Sequence, residues 1–93
     1  MVVGTMLVSA FIGDSHSLKD KRHVLRSVKD RVHDRLNVSI AEVEDNDLWQ
    51  KTSLGVAVVS NDTKHALEVL REVEKFLKTH PGLVVCSAET EIV

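Results

Sequence analysis

The chain opens on a run in which apolar and smaller side chains alternate. Across residues 2–12, Val2, Met6, Val8, Ala10 and Ile12 share one face, with Gly4 between them. Val3, Thr5, Leu7, Ser9 and Phe11 share the other, which is half apolar. Period-two alternation rich in β-branched residues predicts a strand. Gly13-Asp14-Ser15-His16 then forms a turn, and Ser17 with Asp20 three residues later reads as a helix N-cap. Leu18, Leu25, Val28, Val32 and Leu36 recur at helical spacing and predict a helix from Leu18 to about Leu36. Residues 38–44 follow as a second strand, with irregular apolar spacing at Val38, Ile40 and Val43 that predicts a bulge or a twist near Ala41-Glu42. A polar connection from Asp45 to Thr52 leads to a third strand, Ser53 to Ser60, apolar on both faces and so expected to be central. Asn61-Asp62 caps a second helix to about Thr79 whose buried side is Ala66, Leu67, Leu70, Val73 and Leu77, with Pro81-Gly82 closing it. In the last strand, Leu83 to Val93, the alternation puts Val84, Cys86, Ala88 and Ile92 on one face and Ser87, Glu89 and Glu91 on the other.

The order βαββαβ predicts an α+β ferredoxin-like sandwich, a four-stranded antiparallel sheet with two helices on one face. The first and third strands would be central. The second sheet face would carry Val3, Leu7 and Phe11 without a helical cover. A second copy of the chain is the economical cover, so a homo-oligomer is expected; the alternative is that the face is simply tolerated in water.

Ninety-three residues make a single domain, 1–93, and 43% hydrophobic residues with one proline describe a folded chain. The net charge of −2 argues against a uniformly basic nucleic-acid binder. That total hides a split. Residues 16–35 hold seven basic and three acidic side chains, +4, against five basic and eleven acidic elsewhere, −6. Lys19, Arg22, Arg26, Lys29 and His33 step by three and four and form a stripe flanking the apolar seam; Arg31 and Arg35 are further basic positions on the same helix. Such a stripe can track RNA phosphates, or it can be a solvated flank or pair with a neighbouring subunit. The central strands offer only Phe11 as an aromatic, which disfavours base stacking on the sheet and leaves backbone contact open.

Other chemistry is sparse. One cysteine, Cys86, permits no internal disulfide, and its strand position predicts a core thiol rather than a nucleophile. The five histidines form no metal-ligand spacing. The turn before the first helix could receive an anion on free N–H groups, but Asp14 and Asp20 oppose it. Acylphosphatases share the βαββαβ order and grip phosphate with an arginine in this loop; none lies between Gly13 and Ser17. Trp49 is either a contact residue or a lid over the core, and Val69 and Phe76 either widen the core or meet a partner. The first residues lack a basic n-region, and no apolar run reaches about 20 residues, so a cytoplasmic protein without a membrane segment is expected.

Four segments resemble the YlxP-like family of small uncharacterised bacterial proteins: Ser17-Leu18-Lys19-Asp20-Lys21-Arg22, Asn37-Val38-Ser39-Ile40-Ala41-Glu42-Val43, Asp47-Leu48-Trp49-Gln50 and Leu54-Gly55-Val56-Ala57. Asp20 stands where Glu is common, and Gly13-Asp14 where a proline-containing turn is usual. The resemblance implies a domain of unknown function with a ferredoxin-like fold. The family's genes often lie near those of an initiation factor and a ribosome-binding factor, which implies an association with ribosomal RNA or ribosome assembly. It implies no catalytic residue.

The resulting expectation is a non-enzymatic binding protein, without cofactor or metal, that meets ribosomal RNA or a ribonucleoprotein through Lys19, Arg22, Arg26, Lys29, Arg31 and Arg35. Val3, Leu7, Phe11 and Trp49 are the expected interface residues. The alternative is a homo-oligomeric domain that binds a small ligand or regulates.

Overall fold

The computed structural model describes residues 1–93. Its elements follow the order β1 (Val2–Phe11), α1 (Leu18–Arg35), β2 (Ser39–Glu44), β3 (Lys51–Ser60), α2 (Thr63–Thr79) and β4 (Val84–Ile92). The four strands form one antiparallel sheet in the order β2-β3-β1-β4, so the first and third strands are central as their apolar character required. This is the ferredoxin-like arrangement. No helix is long and apolar enough to cross a membrane.

The core lies between one sheet face and the two helices. Met6, Val8, Ala10 and Ile12 of the first strand and its extension pack with Leu54, Val56 and Val58 of β3, Leu25, Val28 and Val32 of α1, and Ala66, Leu70, Val73 and Leu77 of α2. Gly4 sits where α2 comes closest to β1: a Cβ there would lie 3.0 Å from Leu70 Cδ1 and 3.4 Å from Ala66 Cβ. A side chain there would press on both, so a glycine suits the close approach of the helix. Val69 and Phe76 widen this core on the α1 side of α2. Leu67 is only half-buried.

Both helices begin on the caps their sequences specify. Ser17 Oγ accepts from Asp20 N–H, and Asp20 Oδ2 accepts from His16 N–H one residue before the cap. The helix therefore brings its own carboxylate to the site where an external anion would bind. Asp62 Oδ2 accepts from His65 N–H in the same way.

Three local expectations are corrected. The third strand begins at Lys51, two residues early, because Lys51 and Thr52 continue the ladder opposite Phe11 and Ala10. The β2 irregularity falls between Glu42 and Glu44, leaving Val43 as the extra residue, slightly later than its expected place. In β4 a register shift separates Ser9↔Ser87 from Ala10↔Val85, so Cys86 is the unpaired residue of a bulge. The bulge reverses the facing of everything before it. Val85 packs on the core, while Val84 and Cys86 are exposed, contrary to the simple alternation.

Candidate functional site

The six basic residues expected at an RNA surface all lie on α1, but not on one face. Taking about 100° per residue, Lys19, Arg22, Arg26 and Lys29 cluster on one flank of the buried seam and Arg31 and Arg35 on the other. The second flank faces α2: the Arg35 guanidinium lies 5.6 Å from the centre of the Phe76 ring, and the Arg31 charge acts on His80 at the end of α2. Arg35 is thereby engaged within the fold as a cation–π partner. The first flank looks away from α2, toward the side of the sheet on which β2 lies. Lys19, Arg22 and Arg26 are exposed and Lys29 is half-buried. None of the four has a carboxylate within ion-pair distance; the protein's ion pairs are Lys21–Glu42 and Lys78–Glu74. The structure thus retains the stripe of four and separates it from Arg31 and Arg35.

Lys21 is the residue the sequence pattern left uninterpreted. It is only 1% exposed, in a gap of the apolar seam between Leu18 and Leu25. Leu18 itself is 39% exposed. The Lys21 ammonium lies 2.7 Å from Glu42 Oε2 and donates to the backbone carbonyls of Asp45 and Leu48. The buried Thr52 hydroxyl donates to the same Glu42 oxygen at 2.6 Å. Asp45 holds a positive φ of 64°, a conformation that aspartate tolerates better than most residues, and its carboxylate accepts from Ser53 Oγ at 2.9 Å. Gln50 closes the other end: its amide donates to Ser15 O, and its carbonyl accepts from Ile12 N–H. The β2–β3 connection is therefore tied to α1 and to the turn before it. The signal for this was the seven-residue gap in the seam, where the helical step of three from Leu18 lands on Lys21.

Trp49 sits on this tethered connection and is 52% exposed, with Leu48 beside it at 46%. It is not a lid over the core.

The expected interface residues of β1 line the open sheet face. Leu7 and Phe11 are exposed and Val3 is half-buried. Val59, Val43 and Val84 extend this apolar surface. Its middle is a shallow trough of about 720 Å³ floored by Gly55, Ala57 and Ala41 and flanked by Leu7, Val43 and Glu89. The floor is low because Gly55 has no side chain, and Val43, the extra residue of the β2 bulge, leans over it: a Cβ at Gly55 would meet Val43 Cγ1 at 2.9 Å.

His80 is buried, and its Nδ1 accepts from Gly82 N–H at 3.0 Å. Burial first, and the Arg31 charge second, hold its pKa below the ordinary 6.5. The imidazole thus ends α2 as a neutral acceptor. No three His, Cys, Asp or Glu side chains gather into a metal-binding group.

One four-stranded antiparallel sheet, with both helices on one face only, defines a ferredoxin-like α+β protein. A designed protein with a ferredoxin fold superposes with a TM-score of 0.52 over 98% of this chain and 85% of its own, at 13% identity, a likeness of fold alone. The chain belongs to the family described as protein of unknown function DUF503, whose model matches residues 3–90. It is similar to the uncharacterized protein YlxP of Bacillus subtilis, 36% identical over 90 residues that cover 97% of this chain and 98% of that one. The network around Lys21 joins three of the segments that carry the family resemblance, through Lys21, Glu42 and Leu48.

Proposed function

We propose that the protein is a non-enzymatic binding protein that contacts ribosomal RNA or a ribonucleoprotein through the flank of α1 bearing Lys19, Arg22, Arg26 and Lys29. The observation that carries this is the absence of any internal carboxylate partner for these four side chains in a chain whose net charge is negative. Cations that a fold leaves unpaired along one helix flank, spaced by three and four residues, match a phosphate backbone. Arg31 is a secondary contact; Arg35, held over Phe76, contributes less. Filter binding of the purified protein to ribosomal RNA across a salt series tests this. Four phosphate contacts give a slope of log affinity against log salt near −3, at about 0.7 per contact for single strands. Arg22→Glu with Arg26→Glu is expected to remove at least about 1.4 of that slope. An unchanged slope and affinity would show that the flank is not the contact surface.

The exposed apolar face of β1 and β3 favours a second reading, a homo-oligomer that joins open sheet faces and binds a small ligand at the edge. Light scattering and a thermal-shift screen of metabolites and nucleotides test it. A monomer whose midpoint no ligand moves would eliminate it.

A further inference from the structure

We propose that the RNA met by α1 is single-stranded, and that Trp49 is a platform on which one of its unpaired bases stacks. This rests on the basic-flank reading above and names the class of RNA it takes.

Three observations converge on it. First, Trp49 is the chain's one tryptophan, and it is 52% exposed on a connection that is otherwise firmly held. Lys21 grips the carbonyls of Asp45 and Leu48, Ser53 grips the Asp45 carboxylate, and Gln50 is hydrogen-bonded through both its side chain and its carbonyl. A large apolar ring on a mobile loop tip is unremarkable, but here it is presented to solvent by a buried cation. The backbone beside it is already ordered, so a ligand that lands on the ring pays little additional ordering entropy. Second, the surface around the ring is a shallow concavity of about 330 Å³ lined by Leu48, Trp49, Gln50 and Lys51. Apolar faces sit there beside one amide and one cation, a mixture suited to a planar base with a phosphate attached. Third, the Lys21–Leu48 hydrogen bond places this surface beside the opening turns of α1, where Lys19 and Arg22 begin the unpaired basic flank. That flank and the hairpin closing β2 lie on the same side of the fold, away from α2.

An aromatic platform and a cationic track together recognise a single strand, because only an unstacked base can give its face to a side chain. A duplex would engage the cations alone. The sheet's one aromatic, Phe11, stands at the end of β1, and the exposed middle of the open face is Gly55, Ala57 and Ala41, so the centre of the sheet offers no platform. The aromatic that the basic helix lacks in sequence is supplied by the neighbouring hairpin in space.

The chain has no tyrosine, so its intrinsic emission reports Trp49. The test titrates the full chain at low salt with a 12-nucleotide single-stranded RNA, and in parallel with an RNA hairpin stem of equal phosphate number. Quenching by the single strand and much weaker quenching by the stem are expected. Read by filter binding, since variants without Trp49 lose the emission signal, Trp49→Ala should weaken single-strand binding by about 10-fold, within the range that base–aromatic stacking covers, and leave the salt slope unchanged. Trp49→Phe should keep most of the affinity. Arg22→Glu with Arg26→Glu should also weaken binding but, unlike Trp49→Ala, lower the slope. Should the alanine variant fold poorly, quenching of the unaltered protein and the affinity of Trp49→Phe still decide. Salt-sensitive binding with unaltered emission and a normal Trp49→Ala affinity would overturn the stacking role while the basic flank stood. No binding of either RNA would overturn both. Emission that moves with protein concentration and not with RNA would assign Trp49 to self-association and overturn the proposal.

Discussion

The ammonium of Lys21 on α1 lies 2.7 Å from the carboxylate of Glu42 on β2, and both side chains are withdrawn from water. The lysine is 2% exposed at its side chain and the glutamate 15%. With two backbone carbonyls also bound by the ammonium and the Thr52 hydroxyl bound by the carboxylate, no buried side-chain nitrogen or oxygen is left unpaired. The pair is thus a tether as much as an ion pair, since it fixes the start of α1 to the connection that bears Trp49.

Removing one member leaves the rest of the network unsatisfied, which costs more than the intact pair contributes. Lys21→Ala strands a largely buried carboxylate and two carbonyls. The expected loss is about 3 kcal/mol, the lower end of the range for broken buried pairs because Glu42 keeps some contact with water. Urea denaturation reads it directly. Glu42→Gln keeps an oxygen that can accept from Lys21 and Thr52, so its loss should be roughly half as large. Amide exchange in residues 45–50 should rise in Lys21→Ala before the core strands are affected. A variant as stable as the parent would show that water replaces the tether at no cost.

His80 gives stability a pH dependence with a definite sign. Its folded pKa is lowered, by burial first and by the Arg31 charge second, so the unfolded chain takes up the proton first as pH falls. The contribution is fully present above the ordinary value of 6.5, declines as pH falls through it, and stops declining below the depressed folded value. His80→Asn can still accept from Gly82 N–H but has no proton to gain. Denaturation midpoints from pH 7.5 to 5 should therefore fall less steeply in His80→Asn than in the parent. Parallel curves would show that His80 does not carry the acid sensitivity.

Gly4 and Gly13 make a contrasting pair, although sequence alone treats both as glycines beside a strand. A methyl group at Gly4 would press on Leu70, Val58 and Ala66, all of them core side chains. Gly4→Ala is expected to cost about 1–3 kcal/mol, as overpacking does. At Gly13 nothing lies within 4 Å of the added carbon, and the backbone is not left-handed. Gly13→Ala should be neutral or stabilising by a few tenths of a kcal/mol through the unfolded chain. Thermal midpoints of the two variants measure the difference.

The strand order and both helices were legible because apolar spacing is a local property: Leu25, Val28 and Val32 on α1, and Ala66, Leu70, Val73 and Leu77 on α2, are buried as their periods required. The caps at Ser17 and Asp62 were legible for the same reason, being bonds across three residues. What pattern could not resolve depends on partners remote in the chain. Lys21 reads as one more cation of a basic helix until Glu42 and the carbonyls of residues 45 and 48 fold against it. Arg35 reads like Arg22 until Phe76 lies beneath it. Trp49 divides between lid and contact until the tether shows which way its loop is held.

The β4 bulge supplies the last test, because it exchanges the fates of two adjacent residues. Unbroken alternation from Ala88 would send Cys86 and Val84 inward and Val85 outward. The extra residue at the Ser9/Ala10 shift instead pairs Val85 with Ala10 on the core side and leaves Cys86 without a partner on β1. Val85→Ala should then lose about 1 kcal/mol, the lower part of the range for trimming packed aliphatic side chains because Val85 is only partly buried. Cys86→Ser, at an exposed position, should stay within about 0.5 kcal/mol. The native thiol should also react with Ellman's reagent at a rate close to that of the urea-unfolded chain, since exposure governs the thiol's access. A native reaction slower by orders of magnitude, together with a costly Cys86→Ser, would restore the unbulged register and return Cys86 to the core.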